Sequence, residues 1–561
     1  MVQTQLARLV RTAIEQAQES GDLPPFEIPP IQMERPARKE HGDWSTGVAL
    51  VVAKDAKMKP RDVADAIVAA LGRVESDARA DLISTIEVAG PGFINFRLSH
   101  RWLTGLVREI EQAGEAWGRT DAAEPEKMQV EFVSANPTGP MHIGHGRWAA
   151  VGDTLARLLE ASGNTVEREF YVNDFGMQMV KFGQSVAVRY LELLGQKAEI
   201  PEGGYQGRYV IDIAKEILLE VGDKYLKGAE EERVAFMRVE GQRRMLLNQR
   251  LTLQRFGVEF DVWFSERSLH EEGAVERVVE LLKQLGHVYE KDGAWWLRTT
   301  DFGDDKDRVL VRSTDGLPAY LAADLAYFMD KIRRGFERLI YLVGADHHGW
   351  KREMQAAIRA LGEDPEHCEF LIGQFVHLTR GGESVKMSKR TGEAITFDEL
   401  LDEVGVDAAR YHFLRISMDQ TLNFDLEAVV QQSQENPVYY VQYAHARISS
   451  ILKHATEQGI TIAPVDTVAL EELQHESELD LLRKLGEIPE AVEVAARRRE
   501  PHRMTRFAED LASLFHAFYR DCRVVSEDQA LTQARLHLVG ATQIGLRNVL
   551  GLLGVSAPES M

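Results

Sequence analysis

The chain has 561 residues, of which 44% are hydrophobic and 27% charged, and its formal net charge at pH 7 is -22. This length exceeds what one hydrophobic core supports, so we expect three or four domains. No apolar run approaches the ~18 residues that cross a bilayer, which excludes a transmembrane protein. Only two cysteines are present, which excludes a disulfide framework or a cysteine-rich zinc site, and we expect a cytoplasmic protein.

Residues 1–112 are expected to form a small α+β domain. The opening "MVQTQLARLVRTAIEQAQES" predicts an amphipathic helix and not a signal peptide, because polar residues interrupt its apolar ones. A second helix is predicted over 60–73, and "STIEVAGPGFINFRL" alternates like a strand around a Gly-Pro-Gly turn. The polar stretch 113–127 that follows is typical of a linker.

Residues 113–425 are expected to form an α/β domain of Rossmann type. "MQVEFVSAN" predicts a buried strand, after which come a Pro/Gly loop, a helix and a second strand at "VEREFYV". This order predicts a parallel sheet with the loop at the carboxyl ends of the strands. A charged stretch at about 205–290 predicts a largely helical insertion, and strands are predicted at "AWWLRT", "DRVLVRS", "RLIYLVGAD" and "EFLIGQFVHL".

Residues 426–561 are expected to form an α-helical bundle of four or five helices. Apolar side chains recur there at helical spacing, as at Leu546, Val549 and Leu553. The segment "AARRREPHRMTRF" (495–507) adds a basic cluster to an otherwise acidic chain. Such a cluster is either a solvated helix face or a surface for phosphate groups.

The loop "ANPTGPMHIGHGRW" (135–148) carries the first candidate site. Three interpretations are open for His142 and His145: metal ligands, structural imidazoles or phosphate contacts. A shared zinc needs both on one helix face with a third ligand, and Gly144 and Gly146 make a regular helix across them unfavourable. A glycine-punctuated turn before a helix presents backbone N–H groups and the positive helix end to an anion. We therefore favour the phosphate interpretation.

The second candidate site lies far downstream, in "ESVKMSKRTGEAITF" (383–397). Lys386 and Lys389 flank Met387 and Ser388 in a Gly-rich stretch. Taken alone, such a stretch is typical of a solvated loop. Two ammonium groups on a mobile loop are also suited to stabilising a departing pyrophosphate, and H-I-G-H in the first loop of a βαβ unit favours this second interpretation.

Together the two motifs resemble those of class I aminoacyl-tRNA synthetases. Other segments resemble arginyl-tRNA synthetases of bacterial type over nearly the whole chain, notably "YVNDFGMQ", "DFGDDKDRVLVRS", "YLAADLAY", "GADHHGW", "NPVYYVQYAHARI" and "EHGDWSTGVAL". The resemblance implies ATP-dependent activation of L-arginine to arginyl-adenylate, then transfer to the 3′-terminal ribose of tRNA(Arg). It further implies ATP with Mg²⁺, no structural zinc, a monomer, an N-terminal tRNA-contacting domain and a C-terminal anticodon-binding domain.

The resemblance also implies which residues bind ATP. The motif region consists of Ala135, Asn136, Pro137, Thr138, Gly139, Pro140, Met141, His142, Ile143, Gly144 and His145. His142, His145, Lys386 and Lys389 are expected to stabilise the triphosphate. The remaining nucleotide contacts are expected from Gly144, Gly344, Asp346, His347, Met387 and Ser388. Simple packing at the end of a strand is the alternative for residues 344–347.

For arginine, the resemblance implies that Glu131 and Asp324 accept the planar guanidinium fork, which an ammonium cannot match. Tyr320 lies four residues before Asp324, hence on the same face of a helix. The other expected contacts are Ser134, Asn136 and Gln374, of which the last two hold the α-amino group. The alternatives are that Asp324 is a surface acid and Glu131 a structural ion-pair partner.

The outlying domains are expected to contact tRNA. The candidate residues of the C-terminal domain are Tyr439, Tyr443, His445, Arg447, Arg498, Arg503 and Arg506, and those of the N-terminal domain are Arg35, Arg38 and Lys39. Aromatic side chains stack on splayed bases and cations contact phosphates. Packing in a helical core is the alternative for the aromatic residues.

Four other functions fit the residues less well. A cysteinyl enzyme usually needs zinc, and a glutamyl enzyme needs a cationic pocket where this one is expected to be anionic. A nucleotidyltransferase acting without tRNA leaves both flanking domains unexplained. An RNA-binding module without catalysis leaves His142, His145, Lys386 and Lys389 unexplained.

Overall fold

The computed structural model describes residues 2–74, 81–314, 316–385, 395–433 and 435–561, with the backbone alone at Asp346 and His348. Lys386, Met387, Ser388 and Lys389 therefore lie outside the described residues. Among the helices of these ranges, none combines the length and apolar character needed to cross a membrane.

The N-terminal unit packs helices on a three-stranded antiparallel sheet. Its elements are α1 (Val2–Glu19), β1 (Trp44–Thr46), α2 (Val48–Val52), α3 (Pro60–Arg73), β2 (Ile83–Ala89), β3 (Phe93–Leu98) and α4 (His100–Ala113). The strand order is β1-β3-β2. The predicted amphipathic helix is confirmed, because α1 buries Leu6, Val10 and Ile14 on one face against α3.

The middle domain alternates strands and helices. In chain order its elements are β4 (Lys127–Glu131), α5 (Ile143–Ala161), β5 (Thr165–Val172), α6 (Met177–Leu193), α7 (Arg208–Val221), α8 (Glu230–Arg255), β6 (Val262–Ser265), α9 (Glu266–Glu271), α10 (Ala274–Gln284), β7 (Val288–Lys291), β8 (Ala294–Leu297), β9 (Arg308–Val311), α11 (Tyr320–Arg333), β10 (Arg338–Gly344), α12 (His348–Ala360), β11 (Cys368–Gly373), β12 (Val376–Arg380), β13 (Glu383–Ser384), α13 (Phe397–Val404), α14 (Val406–Leu414), β14 (Leu422–Asp425) and α15 (Leu426–Val429).

Its central sheet has the strand order β11-β10-β4-β5-β6, and every neighbouring pair is parallel. From β4 the chain builds outwards to β5 and β6, then returns to the other side of β4 for β10 and β11. The order therefore reverses between β4 and β10, and a crevice opens where these strands end. Glu131 ends β4 and Gly344 ends β10, which places both beside the crevice.

The predicted insertion at 205–290 differs from the structure. α7 and α8 are helical as expected, but β6 within this range is the edge strand of the central sheet, paired with β5. β6 has only four residues, too few for a recognisable alternation, and it exists because β5 offers it a ladder of hydrogen bonds. The stretch "EFLIGQFVHL" likewise divides between β11 of the central sheet and β12 of a second sheet, ordered β13-β12-β14.

The C-terminal domain is a helical bundle, as predicted. Its helices are α16 (Pro437–Glu457), α17 (Glu476–Gly486), α18 (Ile488–Arg498), α19 (His502–Asp521) and α20 (Gln529–Leu553). One hydrophobic core runs from Leu6 of α1 through α5 to Leu553 of α20, so the three parts of the chain pack as one body.

Candidate active site

The loop after β4 has a strained backbone. Val133 and Ser134 are both in the left-handed region, with φ of 68° and 40°. For a β-branched residue this conformation costs about 1–3 kcal/mol and persists only where the surroundings enforce it. Ser134 is held from two sides, since its hydroxyl oxygen accepts a hydrogen bond from the backbone N–H of Tyr171 at 3.1 Å and its O–H donates to Oε1 of Glu131 at 3.3 Å. The strain lies at the mouth of the crevice.

His142 and His145 cap the first turn of α5. The N–H of Gly144 donates to Nδ1 of His142 at 3.1 Å, and the N–H of His142 donates to Nδ1 of His145 at 3.2 Å. The two rings stack at 3.7 Å. Since each Nδ1 accepts a backbone N–H, the neutral form of each ring carries its proton on Nε2 and offers that N–H as a donor. Two imidazole donors therefore stand at the positive end of a helix dipole.

The expectation that the glycines keep His142–His145 out of a helix is wrong, because α5 begins at Ile143. Gly146 serves close packing instead of a turn. A Cβ at this position would lie 2.3 Å from the ring of Phe397, the first residue of α13. The N–H of Phe397 also donates to the carbonyl of Met141 at 2.9 Å, so α13 is anchored on the histidine loop.

A cavity of about 1530 Å³ opens in front of this helix end. The predicted site residues that line it are Ser134, Ala135, Asn136, Thr138, Gly139, Pro140, Met141, His142, His145 and His347. Its opposite wall comprises residues that the sequence did not single out, including Asn173, Lys181, Tyr205 and Tyr209. The hydroxyl of Tyr209 donates to the carbonyl of Thr138 at 2.8 Å, which fixes this wall against the histidine loop.

Glu131, Asp324 and Glu266 form an acidic pocket that adjoins the cavity through Ser134, which lines the cavity and donates a hydrogen bond to Glu131. Burial raises the pKa of Asp324 to about 7, with the carboxylate of Glu131 adding to the effect, and the indole of Trp350 donates to Oδ2 of Asp324 at 2.8 Å. Glu266 belongs to the same pocket, where burial and then the negative charge of Asp324 raise its pKa to about 7. Its Oε2 is buried and accepts no hydrogen bond from the described residues. These carboxyl groups concentrate hydrogen-bond acceptors and negative charge in one buried place, which suits a cationic group.

Sequence reasoning missed Glu266 because it lay inside the presumed insertion. An acid directly after a strand of a parallel sheet lies at the functional edge, but β6 is too short to be recognised as a strand from the sequence, so no local pattern marked Glu266. It also missed Lys331, whose buried ammonium lies 2.6 Å from Oε2 of Glu131. Lys331 shares one face of α11 with Asp324 and Tyr327, at spacings of seven and four residues.

Other predicted contacts lie around these two features. Tyr320 begins α11 and is 74% exposed. Asn136 is exposed, and its carbonyl accepts a hydrogen bond from Gln249 at 3.0 Å. Gly344 pairs in register with Gly373, and Gln374 follows directly in a half-buried position. The side chain of Asp346 is outside the described part.

The motif "YVNDFGMQ" now has a structural explanation. Asp174 is buried, and its carboxylate accepts hydrogen bonds from Ser265 at 2.8 Å, from the N–H of Arg267 at 3.0 Å and from Gln242 at 3.0 Å. It thereby ties the end of β5 to the end of β6 and positions Glu266 between its partners.

The tRNA candidates separate into exposed and buried residues. Tyr439 and Tyr443 stack at 6.1 Å on α16, and the guanidinium of Arg447 lies 4.6 Å from the ring of Tyr443. His445 was expected beside them but is completely buried, with Nδ1 2.8 Å from the carbonyl of Pro558, so it cannot stack on a base. The reason is helical periodicity, which turns position 445 to the opposite face of α16.

Among the basic candidates, Arg498 and Arg506 are exposed, whereas Arg503 pairs with Glu500. Arg35 and Lys39 of the N-terminal unit pair with acids of the bundle, Glu487 at 2.9 Å and Asp480 at 2.5 Å respectively. Their charges hold two domains together, which weakens their assignment to tRNA.

Within the described ranges, no group of three or more His, Cys, Asp or Glu side chains is arranged to hold a metal ion. In addition to the histidines, the cavity lining includes the carboxylates of Glu202, Asp212 and Glu399. Carboxylate oxygens are ligands that a divalent cation such as Mg²⁺ accepts.

Three family models match the chain. The class I (R) tRNA synthetase catalytic domain matches residues 109–451, the arginyl tRNA synthetase N terminal domain matches 4–98, and the DALR anticodon binding domain matches 441–561. The parallel sheet, the histidine-capped helix and the helical bundle thus define a class I aminoacyl-tRNA synthetase.

The relatives specify the family further. The arginine–tRNA ligase of Desulfitobacterium hafniense (strain DSM 10664 / DCB-2) is 48% identical over 556 residues, covering 99% of this chain and 98% of the relative. That of Geobacillus thermodenitrificans (strain NG80-2) is 49% identical over 559 residues, again covering 99% and 98%. The structure of the Thermus thermophilus arginyl-tRNA synthetase covers 100% of both chains with a TM-score of 0.75 at 24% identity, which shows the same fold. The chain belongs to the arginine–tRNA ligase family.

Proposed function

We propose that this protein activates L-arginine with ATP and transfers it from arginyl-adenylate to the 3′-terminal ribose of tRNA(Arg). The observation that carries the proposal is the position of Ser134. It lines the cavity with His142 and donates a hydrogen bond to Glu131 of the acidic pocket. A site for a triphosphate and a pocket for a cationic side chain are therefore adjacent.

ATP is assigned to the cavity in front of α5. The Nε2–H groups of His142 and His145 and the helix end face the negative charge that builds on the phosphorus as the arginine carboxylate attacks. Lys386 and Lys389 are proposed to stabilise the leaving pyrophosphate, with Met387 and Ser388 beside them. The adenosine is assigned to Gly144, Gly344, Asp346 and His347. Mg²⁺ is proposed to enter with the phosphates of ATP and to offset their charge.

Arginine is assigned to the acidic pocket. Asp324 and Glu266 offer carboxylate oxygens to the two edges of a guanidinium, and Tyr320 flanks them. Glu131 contributes through Oε1, since Oε2 is paired with Lys331. Asn136 and Gln374 are proposed to hold the α-amino group. A lysine substrate reaches the same pocket with one ammonium and leaves a carboxylate without a partner, which costs about 1–3 kcal/mol or more.

The tRNA is assigned to the outlying domains. Tyr439, Tyr443 and Arg447 form a half-buried aromatic and cationic surface on α16, suited to stacked bases, with Arg498, Arg503 and Arg506 as phosphate contacts. The protein is proposed to act as a cytoplasmic monomer.

The test is aminoacylation of tRNA(Arg) with each of the twenty amino acids. Charging is expected with arginine and not with lysine, and Asp324→Asn is expected to abolish charging at ordinary arginine concentrations while ATP still binds. Charging with another amino acid in preference to arginine would overturn the proposal.

A further inference from the structure

Arg147 is a fully buried cation whose contacts are carbonyl groups. Its side chain has no exposed surface, and among the described residues no carboxylate lies within ion-pair distance, although the charge of Asp419 acts on it from farther away and raises its pKa. Burial lowers the pKa of Arg147 to about 10, so it remains charged near neutral pH. Keeping an unpaired guanidinium in the interior is costly unless its N–H groups are satisfied by well-placed acceptors.

Nη1 and Nη2 of Arg147 have such acceptors, in two separate segments, whereas Nε has no hydrogen-bond partner among the described residues. Nη1 donates to the carbonyl of Gln374 at 3.1 Å and to that of Gln420 at 2.9 Å, while Nη2 donates to the carbonyl of Ser417 at 3.0 Å. Gln374 connects β11 to β12, and residues 417–420 form the turn between α14 and β14. The N–H of Gln374 donates to the carbonyl of Met418 at 2.8 Å, so the two segments also contact each other.

Arg147 itself lies two residues after His145, in the first turns of α5. Its guanidinium therefore joins the helix end that carries the histidines to the residue proposed to hold the α-amino group of arginine. The planar guanidinium donates from two separate nitrogens and so reaches both segments at once. Lysine has one donor nitrogen and does not reproduce this geometry.

We propose that Arg147 is a positioning residue that sets the location of Gln374 relative to His142 and His145, and hence the alignment of bound arginine with the α-phosphate of ATP. This inference rests on the proposed function. In this role Arg147 contacts neither arginine nor ATP. Alignment of reacting groups is sensitive to displacements of about 1 Å, which can cost about 10²-fold in rate.

The test measures charging of tRNA(Arg) by Arg147→Lys and Arg147→Met, with rates expressed per active site from a burst titration with ATP. Both variants are expected to lose about 10²-fold in kcat/KM for arginine, while KM for ATP stays at the wild-type value. In a double-mutant cycle, Gln374→Ala is expected to cost much less in the Arg147→Lys background than in wild type.

Arg410→Lys is the matched control. Arg410 is also completely buried and donates to the carbonyls of Leu553 and Phe256, although unlike Arg147 it also pairs with the carboxylate of Asp153, and none of these residues lines the cavity. This control is expected to lower the melting temperature and to leave kcat/KM for arginine per active site unchanged. An equal loss in the control, or wild-type kinetics in Arg147→Lys, would overturn the proposal.

If neither Arg147 variant folds, Asp419→Pro provides the second test on an exposed turn. Proline there forces Met418 towards an extended conformation and shifts the carbonyls that Arg147 holds. The same selective loss for arginine is expected, and unchanged kinetics would refute the role. A wild-type protein that charges no tRNA with arginine would instead contradict the proposed function.

Discussion

The ammonium of Lys331 lies 2.6 Å from Oε2 of Glu131 and about equally far from the rings of Tyr327 and Tyr341, at 4.0 Å and 4.1 Å. Lys331 has no exposed surface. An internal cation thus neutralises one carboxylate at the edge of the proposed arginine pocket. Glu131 is a structural ion-pair partner whether or not it also contacts substrate, and the two roles can be separated.

Glu131→Gln is expected to destabilise the fold and weaken arginine binding. It leaves the Lys331 ammonium buried without a counter-charge, which costs about 3–5 kcal/mol. Urea unfolding measures the stability, and calorimetric titration measures binding of arginine and ATP separately. The double variant Glu131→Gln/Lys331→Met is expected to recover stability without recovering arginine affinity. Recovery of both would mean that Glu131 serves the fold alone.

Arginine affinity is expected to rise from pH 6 to pH 8. Burial raises the pKa of Asp324 and of Glu266 to about 7, with the charge of Glu131 adding to the shift of Asp324 and the charge of Asp324 adding to that of Glu266, so the empty pocket holds protons near neutral pH. A guanidinium favours the ionised carboxylates and expels those protons. Each proton released makes binding up to about tenfold tighter per pH unit below pH 7. Calorimetric titration of the protein with arginine, in two buffers of different ionisation enthalpy, counts the protons that binding releases. Asp324→Asn is expected to release fewer protons than wild type.

The same raised pKa values predict how the stability of the arginine-free protein depends on pH. Unfolded carboxyl groups ionise near pH 4, so between about pH 4 and pH 7 the folded protein binds more protons than the unfolded chain. The contribution of Asp324 and Glu266 to the free energy of unfolding therefore falls as pH rises through this window and levels off above pH 7. In Glu266→Gln this fall is expected to be smaller, and the variant to be more stable than wild type at pH 8. A larger fall in the free energy of unfolding of Glu266→Gln would contradict a raised pKa of Glu266 in the folded protein.

His142→Asn is expected to separate capping from catalysis. Asparagine is a good N-cap, so the helix end is kept, whereas His142→Ala loses the cap at a cost of about 0.5–2 kcal/mol. Both variants lose the Nε2–H donor and are expected to reduce kcat for charging by about 10²–10³-fold. Melting temperatures and kcat are compared across the pair. Near wild-type kcat in His142→Asn would assign the imidazole to helix capping only.

Tyr443→Ala and His445→Asn are expected to differ although they lie two residues apart. Tyr443 is half-buried on the face of α16 proposed to contact tRNA, and losing a stacking ring costs about 1–3 kcal/mol of tRNA binding, seen as a raised KM for tRNA. His445 is buried against Pro558. Its variant should lower the melting temperature and leave KM for tRNA unchanged per folded molecule. If both variants raise that KM equally, the surface has been misassigned.

Local patterns in the sequence determined much of this protein. Helical and strand periodicities located α1, α3, β5 and the C-terminal bundle, because burial of one face imposes them residue by residue. The H-I-G-H loop after a strand indicated the helix end as an anion site, since that property depends only on neighbouring backbone groups.

Only the tertiary structure decided the rest. β6 became a strand through its ladder with β5, which brought Glu266 to the pocket, and Lys331 met Glu131 across 200 positions of the chain. His445 was removed from the tRNA surface because its side of α16 meets the C-terminal residues. Each outcome depends on which distant groups share a desolvated space, and no local periodicity carries that information.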